Sequence, residues 1–305
     1  MFTLSFHPLG LQDAKPIRRK VEQTECRNCD LNFMNLYGWR FLYDTEVAYF
    51  GDWLIFRFKA HGHLAYLAPV GPAGWQEPLE AMQRDAAGNG HPFLLLGVCE
   101  RDVQSLEVTL PDYFYAHADR DHADYIYARE ALAELRGKKL QAKRNHANRF
   151  ARLFPEYALS ALRPSDFPDC RALYERWADQ KDEAAGVRKY EEEHRAFERV
   201  LSAWDELGGE GLVLRVGGKL VAFTYGAPVN YDTFDVCVEK ADTDYEGAYA
   251  FINRAMAASL PPRFRWINRE EDLGVPGLRA AKLSYHPEQL LQKYTVLTKH
   301  PLGGQ

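Results

Sequence analysis

The alternation of apolar and polar residues predicts two successions of the same elements along the chain. The first has strands over residues 47–50, 53–58 and 63–68, a helix over 76–87 and a buried strand over 93–98. The second has a largely helical stretch over 175–207, a hairpin over 211–225, a strand over 233–239, a helix over 246–260 and a strand over 264–267. The repeated order predicts an α/β (α+β) protein with two copies of one unit, each a mixed central sheet flanked by helices.

The break between the two successions is expected near Gly137. A closing strand over 125–127 precedes it, and a helix over 138–154 follows and stops before Pro155. At 305 residues the chain is long enough for two domains. We therefore expect an N-terminal domain over 1–136 and a C-terminal domain over 137–305 that carries the site.

Composition narrows the function classes. With 46% hydrophobic and 27% charged residues the chain is that of an ordinary folded protein, and a net charge of -5 limits nucleic-acid contact to a local basic patch. No apolar run reaches the ~20 residues of a membrane span, and the first ten residues lack a secretory pattern. We therefore expect a cytoplasmic protein without a transmembrane segment. The composition does not indicate an oligomeric state.

Five cysteines, an odd number, favour reduced thiols over a disulfide framework. Cys26 and Cys29 could form half of a zinc site with His61 and His63, but the spacing matches no standard finger. The sequence therefore predicts no metal ligands.

In a basic helix predicted over 138–152, two cationic side chains point in other directions than the rest. At about 100° per residue, Lys143 and Arg144 fall on the flanks of the apolar stripe, while Lys138, Arg149 and Arg152 point into solvent. Lys143 and Arg144 could bind an anionic substrate group, or they could form ion pairs between the domains.

Two carboxylates are predicted on one face of the strand over 233–239. Strict alternation places Asp235 and Glu239 together, opposite Phe234 and Val236. Partial burial would raise the pKa of either group and make it a general base. The alternative is the wet face of a half-exposed strand.

The segment over 267–287 concentrates polar groups where a strand meets a short helix, a common position for ligand sites in α/β folds. The alternative is a surface loop with ordinary ion pairs. We expect a pocket here, in the C-terminal half only, bounded by Tyr231, Asp235, Glu239, Asn268, Glu270, Arg279, Lys282 and Tyr285.

Small residues begin the helix that follows the strand over 233–239. Free backbone N–H groups at Glu246, Gly247 and Ala248 could hold a phosphate or carboxylate of a co-substrate. The segment matches neither a Walker loop nor a dinucleotide fingerprint.

Three stretches, over residues 124–150, 231–248 and 277–294, resemble the soluble relatives of the phosphatidylglycerol lysyltransferase C-terminal domain. The resemblance covers most of the chain from Asp124 onward and, more loosely, the first half. It implies two tandem GNAT-like acyltransferase units, akin to the Fem peptidyltransferases that move aminoacyl groups from tRNA. It also implies a channel for donor and acceptor between or across the two halves, with Lys282 in the corresponding motif.

The resemblance implies an acyl- or aminoacyltransferase that moves an activated group from aminoacyl-tRNA or acyl-CoA to an amine or hydroxyl. Such chemistry needs an anchored donor, a base and hydrogen-bond donors for the oxyanion. We assign anchoring to Lys143, Arg144 and Lys282, the base to Asp235 or Glu239, and oxyanion stabilisation to Asn268 or a strand N–H. The alternative is a non-catalytic ligand-binding or regulatory protein that retains the fold.

Overall fold

The computed structural model of the chain describes residues 3–72, 74–179 and 187–299. The strands, in chain order, are β1 (His7–Pro8), β2 (Glu46–Phe50), β3 (Trp53–Ala60), β4 (His63–Tyr66), β5 (Leu94–Cys99), β6 (Phe114–Ala118), β7 (Asp124–Ala128), β8 (Ala158–Ala161), β9 (Glu210–Val216), β10 (Lys219–Pro228), β11 (Thr233–Ala241), β12 (Trp266–Asn268), β13 (Gln289–Leu291) and β14 (Lys293–Thr298).

The helices are α1 (Ala14–Val21), α2 (Phe33–Tyr43), α3 (Gln76–Gly88), α4 (Glu100–Thr109), α5 (Arg129–Glu134), α6 (Gln141–Leu153), α7 (Phe167–Asp179), α8 (Val187–Ser202), α9 (Trp204–Leu207), α10 (Ala248–Ser259) and α11 (Pro276–Leu283). The predicted helical stretch over 175–207 corresponds to parts of α7, α8 and α9, and its residues 180–186 lie outside the described residues.

Two seven-stranded mixed sheets have the same topology. The first has the order β1-β2-β3-β4-β5-β14-β6, and the second, read from its other edge, β8-β9-β10-β11-β12-β7-β13. Each described sheet contains one parallel pair, β4 with β5 and β11 with β12. A helix connects the strands of each pair, α3 in the first and α10 in the second. The prediction of two similar units, each a mixed central sheet flanked by helices, is confirmed.

The two halves exchange one strand. β7 follows the six strands of the first sheet along the chain but pairs with β12 and β13 in the second sheet. β14 follows the second set but pairs with β5 and β6 in the first sheet. The division near Gly137 therefore stays a proposal about chain order, because a strand on each side of it belongs to the sheet of the other half.

The halves also share a hydrophobic core. One cluster of buried side chains joins Phe33 and Phe56 of the first half to Tyr174, Phe197 and Tyr225 of the second. Separate cores lie under each sheet, around Tyr66 in the first and Phe234 in the second. Burial of large aromatic side chains dominates such interfaces. The two units are therefore packed as one body.

Local sequence explains the turns that position these strands. Gly217 and Gly218 have φ values of 55° and 85°, which a two-residue hairpin between β9 and β10 requires. In the described part of the chain, no helix is both long and apolar enough to cross a bilayer.

Candidate active site between the two halves

The parallel strands β11 and β12 diverge soon after they pair. Their ladder joins only residues 233–235 to residues 266–268, and its last pair is Asp235 with Asn268. β11 continues to Ala241, while the chain after Asn268 no longer pairs with β11 and stays hydrogen-bonded to Tyr125 of β7. Diverging parallel strands leave a crevice at their carboxyl ends, where α/β folds bind ligands. We call this space the strand gap.

Asp235 is fully buried beside the strand gap. Its Oδ2 accepts hydrogen bonds from Asn32 Nδ2 at 2.9 Å and Asn35 Nδ2 at 3.1 Å. Both amides belong to the start of α2, where Asn32 is the N-cap residue. Oδ1 has no hydrogen-bond partner within the described part of the chain. Burial raises the pKa of Asp235 well above its usual range.

Glu270 lies beside Asp235. Its Oε1 accepts a hydrogen bond from Asn35 Nδ2 at 2.8 Å, and its backbone N–H donates to Asn268 Oδ1 at 2.6 Å. Its backbone has a φ of 56°, a left-handed conformation that is uncommon for a non-glycine residue. Burial and the charge of Asp235 raise its pKa well above the usual range.

A second group of buried charges surrounds Lys293, the first residue of the exchanged strand β14. Lys293 Nζ lies 3.0 Å from Asp124 Oδ1 and 3.1 Å from Asp30 Oδ1, and it also contacts Glu271. Burial opposes the charge of Lys293, but Asp124 and the other carboxylates outweigh it and raise its pKa well above the usual range. The strand exchange therefore ends in an ion cluster between the halves.

Asn268 and Cys29 complete the Lys293 cluster. Asp124 Oδ2 accepts hydrogen bonds from Asn268 Nδ2 at 2.7 Å and from the Cys29 backbone N–H at 2.9 Å. Asn268 Nδ2 also donates to the Arg27 carbonyl at 2.7 Å. Because the amide of Asn268 is engaged in holding β12 to the first half, these contacts favour a positioning role for it.

Lys282 lies beneath the segment that carries Glu270. Its Nζ donates to the carbonyl oxygen of Arg269 at 2.5 Å and to that of Glu271. Burial lowers the pKa of Lys282. These contacts fix the backbone on either side of Glu270, so they favour a positioning role over direct contact with a substrate anion.

The predicted pairing of Asp235 and Glu239 on one face is wrong. β11 carries a bulge, because Asp235 pairs with Ala227 whereas Val238 pairs with Tyr225. One extra residue reverses the alternation of side chains beyond it. Asp235 therefore faces the first half, and Glu239 lies on the opposite face of the sheet.

Glu239 belongs to a separate cluster of polar and aromatic groups. It forms an ion pair with Arg269 Nη2 at 3.0 Å and accepts a hydrogen bond from Asn253 Nδ2 at 3.0 Å. Lys143 Nζ lies 4.3 Å from the centre of the Tyr285 ring, and the Arg269 guanidinium lies 5.0 Å from it. Arg269 Nη1 is buried without a hydrogen-bond partner in the described residues. Two cations therefore meet on this face of the strand gap.

The predicted contrast within the basic helix is confirmed. Lys143 and Arg144 are half-buried, whereas Lys138, Arg149 and Arg152 are exposed. Burial lowers the pKa of Lys143, and the charge of Arg269 adds to this effect. Arg144 instead donates to the carbonyl oxygens of Leu135 and Gly137, which closes the preceding turn.

Other predicted residues lie apart from the strand gap. Arg279 pairs with Asp272 at 2.7 Å and Asp121 at 2.6 Å. Tyr231 is half-exposed and lines a different cleft. At the start of α10, Glu246 pairs with Arg149 at 2.9 Å, and Ala248 begins the helix.

Gly247 serves packing at the same helix start. A Cβ atom added there would lie 2.3 Å from the carbonyl oxygen of His146 in α6, and its φ is 89°. Glycine is therefore required for the close approach of α6 and α10. Helix packing therefore accounts for the glycine, and a bound phosphate is not needed to explain it.

The structure has a cleft that residues of both halves line and that includes Tyr231 of the predicted pocket. The volume of this cleft is about 1330 Å³, and its lining includes residues 23–28, residues 68–72 and α4, together with Tyr231 and Gln289 of the second half. Gly97 and Cys99 of β5 line part of it, and the rest of its lining comes from loops and helices that the pattern of β5 does not reveal.

Sequence reasoning missed the contribution of the first half to the site. Asn32, Asn35, Asp30 and Cys29 reach the second half, and Lys293 returns from the C-terminus. One signal was available: Asn32 and Asn35 lie three residues apart at a helix start, so they share a face. Their partner Asp235, some 200 residues away, could not be read from spacing.

Taken together, the buried groups at the interface carry an excess of acid. Five carboxyl groups face two ammonium groups there: Asp30, Asp124, Asp235, Glu270 and Glu271 against Lys282 and Lys293. Lys293 compensates its three neighbours, whereas Asp235 and Glu270 receive hydrogen bonds from amides. Buried carboxyl groups without a cation are costly unless they serve a ligand.

A comparison with known protein families identifies the family of this chain. Residues 21–297 match the family described as phosphatidylglycerol lysyltransferase, C-terminal. The chain belongs to this family. The matched residues include both halves and the exchanged strands.

Two solved structures share the fold. A conserved protein of unknown function from Bacteroides thetaiotaomicron VPI-5482 is 44% identical, with 97% of this chain and 100% of that chain covered and a TM-score of 0.93. The C-terminal domain of a putative lysylphosphatidylglycerol synthetase from Agrobacterium fabrum is 17% identical, with 94% and 90% covered and a TM-score of 0.66.

One curated relative is an uncharacterized protein from Mycoplasmoides gallisepticum, 22% identical over 174 residues. The match covers 57% of this chain, and the chain spans 55% of that relative's length. Membership of the family and the shared fold support a function of the transferase or acyltransferase type.

Proposed function

We propose that this chain transfers an aminoacyl group from an aminoacyl ester, such as aminoacyl-tRNA, to an amine or hydroxyl. The observation that carries the proposal is the Asp235 carboxyl group, which is fully buried beside the strand gap with Oδ1 unpartnered among the described residues. A substrate ammonium would supply the missing partner and offset the cost of burying the charge. An aminoacyl group carries such an ammonium, whereas a simple acyl group does not.

The two faces of the strand gap carry groups of opposite charge. Asp235 and Glu270 lie on the face toward the first half, and Lys143 and Arg269 lie on the other. A donor that crosses the gap would place its amino group against the acids and its phosphate against Lys143 and the unpartnered Nη1 of Arg269. Its reactive carbonyl would then lie between β11 and β12.

The edge of β11 beyond Asp235 supplies a candidate oxyanion site. No described strand pairs with this edge on the β12 side. Its backbone N–H groups would stabilise the oxyanion that forms when the acceptor attacks the ester carbonyl. A bond from the acceptor nitrogen or oxygen to that carbon forms, the ester C–O bond breaks, and the acceptor's proton passes to the released ester oxygen, which leaves as a hydroxyl.

A carboxylate with a raised pKa suits the proton transfer. Burial raises the pKa of both Asp235 and Glu270, which makes each carboxylate a stronger base than an exposed one. We assign the base role to Glu270 and ammonium binding to Asp235, because the unpartnered oxygen belongs to Asp235. Glu239 is paired with Arg269 and is a weaker candidate for the base.

A donor screen tests the proposal. The protein is incubated with hydroxylamine as acceptor and with a panel of aminoacyl-tRNAs or CoA thioesters, and hydroxamate is measured. We expect product from one or more aminoacyl-tRNAs, a loss of at least tenfold in Asp235→Asn, and no change in Asp44→Asn, which alters an exposed ion pair with Lys59. Donor binding without turnover would support the ligand-binding alternative instead.

A further inference from the structure

Two cysteines and one aspartate from distant parts of the chain converge on the large cleft. Cys26 follows α1, Cys99 ends β5, and Asp102 lies in the first turn of α4. One ligand atom of each lies within 4.8 Å of those of the other two. All three residues line the cleft of about 1330 Å³.

We propose that Cys26, Cys99 and Asp102 bind a thiophilic divalent cation of the Zn²⁺ class. Two thiolates and a carboxylate are common ligands of Zn²⁺, which takes four ligands in a tetrahedron. Three protein ligands leave one coordination position, and here that position faces the cleft. This site is independent of the strand gap and of the transfer reaction proposed for it.

The separation of the sulfur atoms fits a metal better than a disulfide. Cys26 Sγ and Cys99 Sγ lie 3.2 Å apart. Tetrahedral Zn²⁺ with Zn–S bonds of about 2.3 Å places two sulfurs about 3.8 Å apart, a change of about 0.6 Å. A disulfide bond of about 2.05 Å would require the atoms to approach by more than 1 Å.

The surroundings of the Asp102 carboxylate support a bound cation independently of the sulfur distance. Its half-buried carboxylate has no hydrogen bond or ion pair with any residue that the structure describes, although Arg101 is adjacent in sequence and pairs with Glu25 instead. An unpaired carboxylate beside two thiols has no purpose in packing, whereas a bound cation would compensate it.

The structure also separates the two cysteines of the Cys26-x-x-Cys29 motif. Cys29 Sγ points into the Lys293 cluster, 3.3 Å from Asp124 Oδ1 and 3.6 Å from Lys293 Nζ. Cys29 is therefore the natural control for a site that uses Cys26 and Cys99.

Cobalt titration tests the site. Reduced, metal-free protein is titrated with Co²⁺, and the thiolate-to-cobalt charge-transfer absorption is recorded. We expect one Co²⁺ per chain, displaced by Zn²⁺. The absorption should be lost in Cys26→Ser and Cys99→Ser, and the affinity should fall at least tenfold in Asp102→Asn, but not in Cys29→Ser or Asp112→Asn.

A second measurement uses the unaltered protein, so its result does not depend on whether the variants fold. One equivalent of Zn²⁺ should slow iodoacetamide alkylation of Cys26 and Cys99 at least tenfold, as measured by peptide mass, and leave Cys237 unaffected. Absence of stoichiometric Co²⁺ binding, retention of the absorption in Cys26→Ser, or equal alkylation with and without Zn²⁺ would overturn the proposal.

Discussion

Replacement of Lys293 by methionine is the perturbation for which the structure predicts the largest loss of stability. The side chain keeps about the same length and loses its charge, so the buried Asp124 and the partly buried Asp30 and Glu271 lose their cation. Removal of one partner from a buried ion pair costs about 3–5 kcal/mol. For a chain of this size about 2 °C of melting temperature corresponds to 1 kcal/mol, so the melting temperature should fall by about 6–10 °C.

The pH dependence of the effect follows from the pKa of Lys293, which is raised in the folded chain. A lysine whose folded pKa is raised contributes fully below its unfolded pKa of about 10.4. Its contribution is lost only as pH rises through the folded value. The difference between variant and wild type should therefore stay constant near neutral pH and shrink only in strong alkali.

Thermal and urea unfolding measure the change, with Lys299→Met as the matched control. Lys299 directly follows β14 and pairs with the exposed Asp112, and such pairs contribute about 0–1 kcal/mol. Adding Asp124→Asn to Lys293→Met should restore part of the stability, because one uncompensated charge is removed. A loss for Lys293→Met no larger than that for Lys299→Met would refute the ion cluster as a link between the halves.

Three further predictions use single residues. Asp235→Asn should gain stability relative to wild type as pH rises from about 4. The raised pKa of Asp235 makes the wild type lose stability between the pKa of this group in the unfolded chain and its pKa in the folded chain. Thermal melts at several pH values measure this difference. Lys282→Met should lose about 1–3 kcal/mol and reduce transfer, since two backbone carbonyls lose their donor; unchanged melting would argue against a positioning role. Gly247→Ala should destabilise the chain more than Gly137→Ala in urea unfolding, since both have positive φ but only Gly247 meets a backbone atom; equal losses would contradict this.

Much of the fold was predictable because it depends on local periodicity. The apolar strands, the glycine turn between β9 and β10 and the helix after β11 each leave a pattern within about ten residues. The exchange of β7 and β14 leaves no such pattern, because a strand's partner is chosen by tertiary packing. The predicted boundary near Gly137 accordingly follows chain order and not sheet membership.

The site was predictable only in part, for the same reason. Strand alternation pointed to Asp235, and the polar segment over 267–287 pointed to Asn268, Glu270 and Lys282, whose roles stay predictions. The bulge in β11 places Glu239 on the opposite face of the sheet from the one predicted. A bulge shifts the alternation of side chains without a clear signal in the sequence. Asn32, Asn35 and Lys293 reach the site through contacts across more than 20 residues of chain, which spacing cannot show.

The central claim is that the donor crosses the strand gap with its amino group against Asp235. Its most direct test compares hydroxamate formation from an aminoacyl-tRNA with formation from the same donor after complete N-acetylation, which removes the positive charge and keeps the ester. Acetylation should reduce the rate at least tenfold in wild type and have little further effect in Asp235→Asn. Equal rates from the two donors in wild type, or product from CoA thioesters alone, would contradict it.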